Sequence, residues 1–345
     1  VLILAAVLLA NYLRMRSVLL AFGEEILADR VATVAADIDR GTAEAVATAR
    51  VMAIAAENGL LGRRLDSLRF TRGVLERFPQ FCGAYFGLEP EADGLDAATA
   101  AAVPGAAEAT RGPVPSPPAL PDQRAPESLA EVPPQAIMAT GRFIPYWFRD
   151  RANEETILLA PLVGLDGLYY EGCRQRFADP AETEKAMITE PYDYEGQLMV
   201  EQTFPITSAG DFLGVAGVDR TLDRIAAELA DLKRRQAAAG WHADFFLISR
   251  GEESEGPKGP RIIAATLATE DLRTRPIDET PQAEILQRLH AGIAGTSILA
   301  AADPITGEPS LFAAARVPTG GWTVVMEVPR SDIVGRVQGP LAASA

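Results

Sequence analysis

From Ser17 to Asn58 the chain contains no proline, and its apolar residues fall at Leu19, Phe22, Ile26, Leu27, Val31, Val34 and Ile38, mostly three or four positions apart. That spacing puts them on one side of an α-helix. Taken as one helix the span is roughly 60 Å long, well beyond an ordinary globular helix. Everything downstream has to be arranged along this rod, and Gly41 is its candidate bend. Such a helix serves as a lever or dimerisation stalk, or as an amphipathic helix lying on a sheet, and different parts of it can do both.

Directly before it stands "VLILAAVLLANYL", a nearly uninterrupted apolar stretch. At the helical rise it covers only ~20 Å of a bilayer core of ~30 Å. Residues 1–16 are therefore read as the end of a membrane helix, in preference to a signal-peptide core, since no clean cleavage site follows. Arg14 and Arg16 favour a cytoplasmic position for the chain downstream under the positive-inside rule.

A hydrophobic fraction of 48% beside 23% charged residues is that of a globular protein, and 345 residues suit about two domains. The net charge of −15 argues against nucleic acid as a partner, because short basic runs such as "LKRR" are diluted by carboxylates. Cys82 and Cys173 lack a CxxC pattern, and His242 and His290 lack ligand spacing, so neither a metal nor a redox motif is indicated. Two separately buried thiols are expected. The sequence holds no nucleophile elbow, phosphate loop, dinucleotide fingerprint or calcium loop. No cofactor is implied, and an enzyme reading, such as a hydrolase, has no motif behind it.

Past the helix, "FCGAYFGLE" (81–89) reads as a buried strand. Nine of the 25 prolines then fall between Pro104 and Pro134 in an alanine-rich stretch, so residues 91–136 are expected to form a flexible insertion. Strands return with "RFIPYWFRD" and "ETILLAPLV", followed by a helical or looped "GLYYEGCRQRF", two strands in "GQLMVEQTFPIT" and "DFLGVAGVDRT", and the amphipathic helix "LDRIAAELADLKRRQAAAG". A second module follows the same plan: strands "ADFFLISR" and "RIIAATL", a helix "PQAEILQRLHAGI", then strands "GTSILAAA", "PSLFAAARV" and "GWTVVMEVP". The fold class is α+β, with antiparallel sheets and flanking helices.

"TGRFIPYWFRD", "LYYEG", "ITEPYDYEGQLMVEQTFPI", "GDFLGVAGVDRTLDRI" and "GEPSLFAAARVPTGGWTVVMEVP" resemble, in order and spacing, the double-Cache sensor domains of bacterial transmembrane receptors. The resemblance covers about residues 20–335. It implies a long N-terminal helix carrying two tandem PAS-like modules. Residues 17–75 would be the stalk helix and its connection, 76–235 the membrane-distal module, 236–335 the membrane-proximal one, and 336–345 the lead into a second membrane helix. It further implies a periplasmic sensor on the inner membrane, against the indication of Arg14 and Arg16, with a small-molecule ligand in the distal module and a homodimeric assembly. The sensor region itself would not be an enzyme; a kinase, phosphatase or cyclic-dinucleotide output would follow outside it.

By the same resemblance Asp219 stands where amine- and amino-acid-binding members hold the ligand ammonium, and Tyr192 matches an aromatic pocket residue. Tyr170 matches the tyrosine of a Trp-Tyr pair, with Tyr169 in the tryptophan's place. Gly167 stands where amino-acid binders carry the arginine that clamps the carboxylate, and Tyr194 where they carry a second aspartate. An amine is therefore implied, or an amino or organic acid whose carboxylate is held by Arg142 or Arg149 instead.

The residue types agree with this chemistry. A buried cation needs a carboxylate, and aromatic faces add roughly 0.5–2 kcal/mol each. Asp219 with Tyr146, Trp147, Tyr170, Tyr192 and Tyr194 provides both, and six of the ten Tyr and Trp residues lie within 146–194. Plainer roles stand beside these: Trp147 as a packed strand residue, one of Tyr169 and Tyr170 as structural, Asp219 as a helix cap, and Trp322 as scaffold. A ligand-independent protein-interaction module is the alternative function.

Overall fold

The structure is a computed structural model that describes residues 2–103, 111–115, 127–251, 259–267, 271–293 and 295–333, with backbone only for 2–13 and 15–20. The chain divides into two compact units, one built on Ala43–Thr221 and the other on the described residues up to Thr42 and from Leu222 onward. Helix α1 spans Leu2–Ala55 and passes Gly41 without a break. A wider helical turn, Ala56–Leu60, follows it, and there Gly59 takes φ +138°, a conformation that an L side chain resists. Among the described residues no helix is long and apolar enough to cross a membrane, and the expected lead at 336–345 lies outside the described residues.

In the unit built on Ala43–Thr221, seven antiparallel strands form one sheet: β1 (Gly83–Leu88), β2 (Pro145–Asp150), β3 (Asn153–Pro161), β4 (Met187–Ile188), β5 (Tyr192–Tyr194), β6 (Gln197–Ser208) and β7 (Asp211–Thr221). Their order is β3-β2-β1-β7-β6-β4, with β5 also paired to β6. Successive residues of a strand face opposite sides, so each strand feeds two cores. One side carries Ala84, Phe86, Trp147, Ile206 and Val218, packed with Met52 and Ala53 of α1 and with Leu65, Leu68 and Leu75 of helix α2 (Arg64–Arg77). Each large side chain buried there contributes about 1.5–3 kcal/mol. The other side carries Tyr85, Ile144, Tyr146 and Val215, packed with Tyr169, Tyr170, Cys173 and Met187.

Within 91–136, the described residues 91–103, 111–115 and 127–136 include ordered structure that the composition did not suggest. Asp96–Ala102 forms a short helix, α3, and Val103, Val132 and Ala136 are buried in the core shared with α2. Charge explains the difference. Arg64, buried at the start of α2, directs all five of its N–H donors inward: to both oxygens of Asp93 at 2.8 Å, to Asp96 at 2.6 Å, to the Thr99 hydroxyl at 2.8 Å and to the Gly141 carbonyl at 2.7 Å. Glu127 accepts the backbone N–H groups of Leu65 and Asp66 at 2.9 and 3.1 Å, neutralising the open amino end of α2.

In the other unit, β8 (Asp244–Ile248), β9 (Ile262–Ala265), β10 (Thr296–Ala302), β11 (Pro309–Val317) and β12 (Trp322–Pro329) form an antiparallel sheet ordered β10-β11-β12-β8-β9. Helices α4 (Cys173–Ala178) and α5 (Leu222–Ala238) precede it in the chain. Helix α6 (Ala283–Ala291) lays Ile285, Leu286 and Leu289 against Phe246, Phe312 and Val325. Part of the α1 stripe, Leu27, Val31, Val34 and Ile38, is buried in this unit, and the Arg30 guanidinium lies 5.4 Å from the Trp241 ring. Both cysteines are buried, and they form no disulfide with each other.

Candidate functional site

Three strands bring the site together. Gly83 on β1 pairs with Asp219 on β7, which pairs in turn with Glu201 on β6. Directly opposed residues share a face, so Asp219 and Glu201 project side by side into the tyrosine-rich core. Gly83 is glycine because a Cβ there would lie 2.2 Å from Oδ2 of Asp219 and 2.6 Å from the Tyr146 ring. One step along the same face, Gly217 leaves room for Tyr85, whose Cζ would be 2.3 Å from an added Cβ.

Asp219 is 1% exposed, and neither carboxylate oxygen has a hydrogen-bond partner of ordinary geometry. Burial pushes its carboxyl up to about 7, with the nearby Tyr146 hydroxyl pulling back. Glu201 is 5% exposed, and the Tyr192 hydroxyl donates to it. Tyr85 is fully buried, and its hydroxyl also lacks a partner. Burial first, then the charges of Glu201 and Asp219, push the phenols of Tyr85, Tyr169 and Tyr192 well up. The rings pack edge to face: Tyr85 on Tyr146 at 5.9 Å, Tyr85 on Tyr169 at 5.7 Å and Tyr146 on Tyr194 at 6.2 Å.

Of the residues singled out from the sequence, Asp219, Tyr146, Tyr192 and Tyr194 meet here. Asp219 lies within β7 and turns into the core, so it does not cap α5. Tyr170 shares the core but sits toward its other end, against Gly87. That is four residues from Gly83, or about 13 Å along the strand. Its hydroxyl donates to Glu89 and accepts from Arg142 at 2.7 Å, and the guanidiniums of Arg142 and Arg174 lie 5.4 and 5.5 Å from its ring. Arg142 also donates to the Leu88 carbonyl at 2.5 Å.

Trp147 stands apart from the others. It follows Tyr146 on the strand and so faces α2, where its indole N–H donates to the Leu68 carbonyl at 3.0 Å. Arg149 shares that side, donating to the carbonyls of Phe81 and Glu154 at 3.0 Å and of Leu75 at 2.5 Å. Neither arginine therefore stands beside Asp219. Two residues escaped sequence reasoning. Glu201 has a local signal, since Met199, Glu201, Thr203 and Pro205 are the inward positions of "LMVEQTFPIT" and only one is a carboxylate. The signal for Tyr85 is the pair of glycines two positions to either side. No set of three or more His, Cys, Asp or Glu side chains able to hold a metal occurs among the described residues.

No protein-family model and no curated protein matches this sequence. Solved structures do match. The extracellular domain of the histidine-kinase candidate mmHK1S-Z3 aligns over 92% of this chain and 98% of its own with 23% identity and a TM-score of 0.67. A protein described as methyl-accepting chemotaxis protein X aligns over 89% and 99% with 21% identity and a TM-score of 0.58. The ligand-binding domain of the Campylobacter jejuni chemoreceptor Tlp3, in complex with 4-methylisoleucine, aligns over 92% and 94% with 12% identity and a TM-score of 0.50. The likeness is one of fold: this chain has the fold of the extracellular sensor domains of histidine kinases and chemoreceptors.

Proposed function

We propose that this chain is the periplasmic ligand-binding part of an inner-membrane signalling receptor, and that its seven-stranded unit takes a small amine-bearing metabolite at Asp219. One observation carries the ligand class: a carboxylate 1% exposed, with the Tyr146 hydroxyl beside it but no hydrogen bond of ordinary geometry, set among tyrosine rings. Leaving such a group buried and unsatisfied costs stability. A ligand ammonium offsets that cost and gains from the aromatic faces. The fold shared with chemoreceptor and histidine-kinase sensor domains supports the receptor role, and the Tlp3 domain binds an amino acid.

In this reading the unit is a two-state element. The ligand stabilises the state in which the ring cluster closes around it, and the signal strength equals the difference in affinity for the two states. The membrane-anchored receptor would be a homodimer joined through α1, whose length and partly unburied apolar residues suit that role.

A thermal-shift screen of the chain against amines, amino acids and organic acids tests the proposal. Amines should raise Tm, and Asp219→Asn should abolish the rise. A ligand in hundredfold excess over Kd contributes about 2.7 kcal/mol, which is a readily measured shift. No stabilising amine, or full stabilisation of Asp219→Asn, would favour the ligand-independent interaction module instead.

A further inference from the structure

We propose that Glu201 is the second carboxylate of the Asp219 seat, and that the pair holds a primary ammonium on a ligand carrying no carboxylate beside its amine. The inference rests on the amine reading above and sharpens its chemistry. Asp219 and Glu201 are register partners on β7 and β6, which sets their Cβ atoms about 4.5–5.5 Å apart. Both are almost fully buried. Like charges directly opposed on neighbouring strands are destabilising, and burial aggravates this. The oxygens of Asp219, which lack a hydrogen bond of ordinary geometry, and the Tyr85 hydroxyl, which has no partner, mark the same place as one with polar atoms left to satisfy.

The geometry decides what kind of cation fits. A primary ammonium has three N–H donors, so one group can serve Asp219, Glu201 and a phenolic oxygen together. A trimethylammonium offers none and would meet only the rings and the field. An α-amino acid brings a carboxylate into a seat that already holds two. Its nearest candidate clamps are held elsewhere: Arg149 donates to three carbonyls on the opposite face, and Arg142 is directed to the Leu88 carbonyl and the Tyr170 hydroxyl at the other end of the tyrosine core.

Calorimetric titration of the whole chain with pentylamine, pentyltrimethylammonium and norleucine tests the assignment, since the three differ only at the amine and its neighbour. Wild type should bind pentylamine tighter than either of the others by roughly tenfold or more, the worth of one charge-assisted hydrogen bond. Glu201→Gln should weaken pentylamine by a similar factor and narrow its lead over the trimethyl analogue. Glu201→Asp, which keeps the charge, should retain most of the affinity. A Glu201→Gln protein that melts like wild type and binds pentylamine equally well would overturn the inference. So would wild type that fails to discriminate among the probes, a result that does not depend on any variant folding. The parent reading fails differently: pentylamine then gives no heat with wild type, or Asp219→Asn binds it undiminished.

Discussion

Asp219 and Glu327 are carboxyls that burial pushes up to about 7, in Glu327 with further help from the charges of Asp303 and Asp244. Their ordinary values are 3.8 and 4.5. Between those values and about 7 the folded chain holds protons that the unfolded chain has released. Stability from this source is therefore complete at acid pH and is lost as pH rises toward neutrality. The ligand-free protein should melt several degrees higher at pH 5 than at pH 8, and Asp219→Asn and Glu327→Gln should each flatten that slope. A slope of opposite sign in scanning calorimetry, or one untouched by both variants, contradicts the burial of ionisable carboxyls. Amine binding should run the other way, strengthening as pH rises and Asp219 ionises. At this scale sequence was informative about residue type and blind to direction. "PYW" reveals two rings but not that Tyr146 and Trp147 face different cores, and Glu201 looked like one acid among 47 acidic residues until register set it beside Asp219.

Strands and helices were legible where hydrophobic period was clean, as in "DFLGVAGVDRT", "GWTVVMEVP" and the α5 sequence. The Pro- and Ala-rich insertion was not legible, because what orders its described parts is charge pairing with residues distant in sequence, which leaves no periodic trace. Arg64 is the centre of that arrangement, with its five donors spent on Asp93, Asp96, Thr99 and Gly141. Removing one partner of a buried ion pair leaves the others charged and unsatisfied, at a cost of about 3–5 kcal/mol. Arg64→Ala should lower stability by that order in urea unfolding and expose the segment around α3 to proteolysis. Lys at the same position should rescue little, since an ammonium cannot reproduce the planar fork that meets Asp93 with two bonds. Wild-type stability and protection in Arg64→Ala would mean that apolar packing alone holds the segment.

The long helix was the feature most constraining in the sequence, yet its periodicity could not say which part packs within the chain and which part is left over. The stripe at Leu27, Val31, Val34 and Ile38 is used internally. Farther along, Val51 is 59% and Ile54 48% exposed. Val51, with Ala47 and Ala55, lines an open groove of about 1050 Å³ between α1 and α2, to which Phe70 and Val74 also contribute. In the proposed homodimer this face meets its copy. A stable dimer buries about 800 Å² per partner, more than two turns of one helix and a shallow groove supply. The association should therefore be reversible, with a concentration-dependent monomer–dimer equilibrium in sedimentation. Val51→Glu with Ile54→Glu should shift that equilibrium to monomer by placing four carboxylates in the contact, while leaving Tm nearly unchanged, because both positions are solvated in the monomer. Pentylamine binding should survive, since neither residue lies on the tyrosine side of the sheet. Monomer at every concentration, or dimerisation indifferent to the two glutamates, would leave α1 as a rod with no partner at this face.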